Sequence, residues 1–262
     1  MQSSSNHSLG RLKEKGLTLV EVLVVAPMII LIIGTVIVAI VALTGESLVR
    51  RETNAVVFNV QSALDDMEGD AQKATSFLYT TGTLTTPQGK GNSTSAFLNN
   101  TSGQPDTLII RSTATTTNPF DPNRQIVYTT APNTCGTPDE SKNPPVAFTI
   151  IYFVDSGTLW KRTIVPTSGN CSSPWQRNSC AAGQTTGACS GVLQDEKVLS
   201  NVTAMNITYY TNPGPTGTVV ADNSSPSAST MEVSITVDTS IAGKAINYQA
   251  KTRATSVNIT GT

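Results

Sequence analysis

The sequence predicts an α+β protein in which one long N-terminal helix, membrane-spanning in one half and packed in the other, lies against an antiparallel β-sheet. Three observations predict it: one unbroken apolar run near the N-terminus, an apolar stripe at helical spacing after it, and short β-branched segments in the remainder.

The apolar run extends from Leu17 to Thr44 and contains a single ionisable residue, Glu21. About 20 apolar residues cross a bilayer core as a helix, so the run is long enough to span. Arg11, Lys13 and Lys15 precede it with one acid, Glu14. This basic leader is held in the cytoplasm by the positive-inside rule, and the C-terminal bulk is sent outward. A secretory signal peptide places its small cleavage-site residues after the apolar region. Here Gly16 stands before it, so a cut between Gly16 and Leu17 would remove only the leader and leave the helix on the mature chain.

Glu21 is the costly residue of the run. A carboxylate within the membrane costs roughly 2.5–3.5 kcal/mol on insertion scales and marks a functional site by default. Cleavage would free the amine of Leu17 about one helical turn from Glu21. In an assembly, the amine of one subunit could then pair with Glu21 of its neighbour. The plainer alternative is a helix-end carboxylate that snorkels to the interface. Pro27, also within the run, cannot donate to the carbonyl of Leu23, and a kink is expected there.

Beyond the membrane run, Leu48, Val56, Val60, Leu64, Met67, Ala71, Ala74 and Leu78 recur at helical intervals. One helix is therefore expected to continue to about Leu78. Asp65, Asp66, Glu68 and Asp70 lie in this stretch and read as a solvated face; a calcium loop would present its carboxylates on a glycine-bearing turn. Residues 79–106 form a polar loop rich in Gly and Pro. Strands are then expected at Thr107–Thr113, Gln125–Thr130, Val146–Val154, Thr158–Val165, Thr203–Thr211, Thr230–Thr239 and Ile246–Ile259. Asp155-Ser156-Gly157 would form a three-residue hairpin loop. Met231, Val233, Ile235 and Val237 alternate strictly, the pattern of a strand with one buried and one wet face. These readings divide the chain into a leader (1–16), a membrane helix (17–44), its packed continuation (45–78) and an exported β-rich domain (79–262) with a Cys-bearing loop (166–196).

Four cysteines, Cys135, Cys171, Cys180 and Cys189, all fall in that domain, without a CxxC pair. In an exported chain an even number reads as disulfides, and four allow three connectivities. Cys135–Cys171 with Cys180–Cys189 closes the shorter local loops and is favoured on that ground.

Composition points away from catalysis. Only 13% of residues are charged, against about a quarter in an ordinary soluble domain. The one histidine, His7, lies in the leader. A processed chain would contain none, which excludes Ser-His-Asp and Cys-His machinery and most zinc and haem sites. No phosphate-binding G-x-x-x-x-G-K-[ST] loop is present. Asp155, Asp195, Glu196 and Glu232 could in principle supply a carboxylate pair, but no spacing singles one out. No enzyme activity, metal or cofactor is expected. Removing Arg11, Lys13, Lys15 and Glu14 from 17 basic and 18 acidic residues leaves 14 and 17, a net charge of −3, which disfavours nucleic acid as a partner.

The residues Lys15-Gly16-Leu17-Thr18-Leu19-Val20-Glu21-Val22-Leu23 resemble the prepilin cleavage and methylation motif of bacterial type IV pilins and type II secretion pseudopilins. The resemblance implies cleavage after Gly16 by a membrane prepilin peptidase, N-methylation of Leu17, and a filament-assembly role for Glu21. Pro27 departs from the family, which often places a helix-breaking proline further along, where this chain has Val38. The segments YFVDSGTLWKRTI and VLSNVTAMNITYY, followed by a final amphipathic strand, look like those of J-type minor pseudopilins and W-type minor pilins. The implied partners are the prepilin peptidase, other pilin or pseudopilin subunits, an inner-membrane assembly platform and the lipid bilayer. Implied too is a cytoplasmic-membrane location with the C-terminal domain outside, then a surface or periplasmic filament. Two other readings compete. In one, the outer domain is a tip-displayed binding module, with Trp160, Trp175 and Tyr209–Tyr210 as candidate contacts for a surface, DNA or a secreted substrate. In the other, the chain is a single-pass anchored protein that is never processed.

Overall fold

A computed structural model describes residues 19–84, 88–89, 93–100, 105–212, 217–241 and 243–256. Gly16 and Leu17 lie outside them. The chain divides into two compact units at Arg51/Glu52, a boundary that falls inside the first helix.

Helix α1 runs Leu19–Gln72 and remains helical through Pro27. Up to Leu43 its large apolar side chains are exposed. From Val60 onward one face is buried, through Val60, Ala63, Leu64, Met67 and Ala71. The helix ends at Gln72 rather than at Leu78. The apolar spacing does continue through Ala74, but Ala74–Phe77 is a strand, β1, paired antiparallel with β2, Leu108–Thr113. The Ser112 hydroxyl donates to the Lys73 carbonyl at 2.9 Å and takes up one of the orphan acceptors at the helix end. Strand pairing therefore overrides the helical pattern at this point.

Strands β3 (Ala147–Asp155) and β4 (Thr158–Ile164) form the expected hairpin. Its loop has two residues, not three. Asp155 pairs with Thr158, and Ser156 and Gly157 both take positive φ, 50° and 73°. Such a turn matches the right-handed twist of the flanking strands. Within the Cys-bearing loop, β5 (Ser179–Cys180) and β6 (Leu193–Gln194) form a short parallel pair. The chain then enters β7 (Glu196–Ser200), a strand the sequence did not announce, because it bears two charged residues and little alternation. Strands β8 (Val202–Tyr210), β9 (Val219–Val220), β10 (Thr230–Ile241) and β11 (Lys244–Thr255) complete the set.

These strands make a five-stranded antiparallel sheet, in the order β1-β2-β3-β4-β7, and a four-stranded one, in the order β11-β10-β8-β9. The chain passes between sheets at Asn201, whose φ of 60° suits an asparagine better than a β-branched residue. The expected strand at Gln125–Thr130 is not one. It makes isolated bridges, Thr115↔Ile126, Tyr128↔Pro145 and Thr129↔Asn170, and Pro145 has no N–H with which to extend a ladder.

One core joins the buried face of α1 to both sheets. Ile110, Ile150, Tyr152 and Leu159 enter from the first sheet, and Ile207, Met231, Val233 and Ile235 from the second. The alternation foreseen for β10 thus faces this core. The other face of the five-stranded sheet carries a smaller cluster of Phe97, Ile109 and Ile151. Phe97 comes from the segment expected to be a polar loop, and part of that segment therefore covers the sheet. Beyond the two residues of β8 that pair with β9, its outer edge is occupied by Asp106, whose N–H donates to the Met205 carbonyl while its carboxylate accepts the Ile207 N–H at 2.7 Å.

Candidate functional site

The first unit holds the residues the sequence singled out most strongly. Glu21 lies in the first turn of α1, exposed and surrounded along the helix by exposed leucine, isoleucine and valine. By length and composition the helix is apolar enough to cross a membrane. Water would leave this apolar surface unburied at roughly 25 cal/mol per Å², whereas a bilayer accepts it.

In the second unit, the acidic stretch of α1 is not simply solvated. Asp70 accepts the Tyr152 hydroxyl and pairs with Lys161, each at 2.7 Å. Glu68 accepts Gln72 and the Thr252 hydroxyl. Two of the four carboxylates thus tie the helix to the sheets. Tyr152 is held protonated well beyond its ordinary value of 10.0, first by burial and then by the negative charge of Asp70.

The two disulfides are Cys135–Cys171 and Cys180–Cys189, with sequence separations of 36 and 9. The loop that carries three of these cysteines is also held by a buried ion pair that sequence reading missed. Arg162 of β4 donates through Nε and Nη2 to Asp195, and both side chains are 2% exposed. Its Nη1 donates to the Gln88 and Gly89 carbonyls, and its guanidinium lies 5.4 Å from the Phe97 and Phe153 ring centroids. The Ser179 hydroxyl donates to the same Asp195 carboxylate. A desolvated charge pair of this kind is tolerable because its remaining donors and acceptors are satisfied. The arrangement clamps two loops onto one strand. A Cβ at Gly89 would collide with the Ser93 and Ser95 backbone, so the turn that offers its carbonyl to Arg162 needs glycine.

On the opposite face of the five-stranded sheet from this clamp lies a cleft of about 560 Å³. Its floor is Phe148 and Ile150 of β3, and Trp175, Leu193 and Pro119 line its sides. The charged residues of its lining are Asp70, Lys73, Lys161, Arg177 and Glu196. Of the aromatic contacts proposed from sequence, Trp175 is 48% exposed here. Tyr209 is buried against Phe77, and Trp160 is half-buried. Nothing in the sequence separates Trp175 from the other three, because its exposure depends on how the disulfide-bearing loop is held. Tyr210 lies under the Arg253 guanidinium at 4.0 Å.

No family model matches the chain, and no curated protein matches it in sequence. Among solved structures it is similar to a type IV-like pilin from Thermus thermophilus, with 9% identity and a TM-score of 0.38, over 78% of this chain and 96% of that one. It is also similar to a structure of two pseudopilins in complex, from the type 2 secretion system of Vibrio vulnificus. There the identity is 10% and the TM-score 0.35, over 77% of this chain and 93% of that one.

Proposed function

We propose that this chain is a membrane-anchored, pilin-like structural subunit whose β-rich unit lies outside the membrane. The carrying observation is the exposed apolar surface of α1 from Leu19 to Leu43, with Glu21 its single ionisable residue. In this reading a prepilin peptidase cuts between Gly16 and Leu17 and Leu17 is N-methylated. The new amine of one subunit neutralises Glu21 of its neighbour during assembly on an inner-membrane platform, as a minor pilin or pseudopilin in a filament with other subunits. The proposed parts are the leader 1–16, the membrane helix 17–44, its continuation as far as Gln72 and the outer domain that begins with β1.

Intact-mass and N-terminal analysis of the protein purified from membranes tests this directly. A chain beginning at methylated Leu17 is expected, and one beginning at Met1 would overturn processing and assembly together. Glu21→Ala is expected to leave the cut intact and to prevent incorporation into filaments. A second reading, the outer unit as a binding module, is favoured by the cleft beside Trp175.

A further inference from the structure

Cys180 has two neighbours along the chain at the same distance. It lies 9 residues before Cys189 and equally far after Cys171. The entropy lost on closing a loop is set by its length, so the two bonds cost an unfolded chain the same. In the folded protein Cys180 is joined to Cys189, and Cys171 to Cys135. Chain statistics do not make that choice, so the fold must.

The two cysteines are held on different supports. The Cys171 N–H donates to the Tyr128 carbonyl at 2.8 Å, and the Thr130 N–H donates to the Gly169 carbonyl at 2.9 Å. Cys180 is fastened to β4 and to Asp195 instead. The Val165 N–H donates to Asn178 Oδ1 at 2.5 Å, and the Thr163 N–H to the Ser179 hydroxyl oxygen at 2.9 Å. That hydroxyl donates to Asp195, whose own N–H donates to the Cys180 carbonyl, both at 2.7 Å. Arg162 in turn fixes Asp195. Gln194, paired with Cys180 across β5 and β6, binds the chain just beyond it: Oε1 accepts the Gly183 N–H and Nε2 donates to the Gln184 carbonyl, both at 2.7 Å. The Val192 N–H donates to the Cys189 carbonyl at 3.2 Å. No sulfur takes part in these bonds, so they form a frame independent of the disulfide they surround. Within it Cys180 and Cys189 are each 1% exposed.

We propose that Ser179, Gln194 and Asp195 direct disulfide pairing: they bring Cys180 to Cys189 before the sulfurs bond, and so keep it from Cys171. The chemistry is ordinary exchange with a small disulfide such as oxidised glutathione. One glutathione first forms a mixed disulfide with Cys180 as the other leaves as thiolate. The Cys189 thiolate then attacks Cys180 Sγ and displaces the second glutathione. Two protein thiols lose two electrons and two protons, and one glutathione disulfide becomes two glutathiones. The device lies wholly in the unit beginning at Glu52 and operates whether or not the chain is processed or assembled.

The test uses the full chain in lipid nanodiscs with Cys135→Ser, which leaves Cys180 to choose between Cys171 and Cys189. The reduced protein is equilibrated with oxidised and reduced glutathione, trapped by alkylation, and mapped by peptide mass for Cys180–Cys189 against Cys171–Cys180. In about 6 M urea the two bonds are expected in about equal amounts. In buffer Cys180–Cys189 should exceed the other at least about twentyfold, since several hydrogen bonds favour it. Ser179→Ala, which loses a bond to a carboxylate, should cut that excess about tenfold, and Gln194→Ala, at an exposed position, about threefold. Met67→Ala weakens the core without touching the loop and should leave the ratio unmoved. Should the Cys135→Ser chain fail to fold, the same ratio is read in the four-cysteine chain. The same excess in urea as in buffer, equal amounts in buffer, no fall with either loop variant, or a fall with Met67→Ala as large as with Ser179→Ala would each overturn the proposal.

Discussion

Ile30 is 70% exposed and Ile235 is fully buried, although the side chain is the same. The contrast runs through the molecule. Along α1 as far as Leu43 the leucines, isoleucines and valines face outward, and in the unit beginning at Glu52 they line a core shared by a helix and two sheets. Apolar side chains must leave water in either case. In the second unit the chain itself supplies what covers them, and in the first the cover must come from outside the described chain, a bilayer in the reading proposed above. The two regions therefore respond to different perturbations, and that difference can be tested.

The largest effect is expected at the clamp. Arg162→Ala leaves Asp195 charged and buried, and should destabilise the outer unit by about 3–5 kcal/mol in urea unfolding followed by fluorescence. A loss below about 1 kcal/mol would mean that the two loops are held mainly by the disulfides. The comparison itself is sharpened by a pair of truncations. Met67→Ala, in the core, should cost about 3 kcal/mol, whereas Ile33→Ala, on the exposed apolar surface, should leave the same unfolding transition unmoved. If both shifted it alike, the division at Arg51/Glu52 would not be energetic.

Tyr152→Phe removes the donor to Asp70 and should cost about 1–2 kcal/mol at neutral pH. The wild-type residue also predicts a pH dependence. Its folded pKa lies above its unfolded one, so its contribution is fully present below about pH 10 and is lost as the pH rises further. The unfolded chain there releases a proton that the folded chain retains. Urea midpoints compared at about pH 8 and about pH 11 should fall more for the wild type than for Tyr152→Phe. The smallest effect concerns the hairpin: Ser156→Asn places a residue better suited to positive φ in the turn and should gain about 0.5–1 kcal/mol.

How much was legible follows from how far each interaction reaches along the chain. The apolar half of α1 could be read because an unbroken apolar run of that length is a local signal. The strands at β3, β4, β8 and β10 were legible because alternation is local. The helix end was not, since the apolar spacing at Ala71 and Ala74 serves helix and strand alike, and pairing with β2 decides between them. Nor was the clamp: Arg162 and Asp195 are 33 residues apart and each reads as an ordinary surface charge. The cleft was hidden for the same reason. Its floor comes from β3 and its sides from the Cys-bearing loop, and only tertiary structure brings Trp175 over Phe148 and Ile150.

Asp106 has a consequence for how copies of this chain can meet. A strand with unpaired N–H and C=O groups invites another chain to add itself, and such growth is the first step toward fibrous aggregates. Asp106 satisfies two of these groups on β8 with its own amide and carboxylate, while β11, at the opposite edge, bears Lys244, Lys251 and Arg253. Charge on one border and a plug on the other deter crowded copies from merging their sheets into one. Any ordered contact between copies would then fall to side chains, which can be specific and reversible where backbone pairing would be neither.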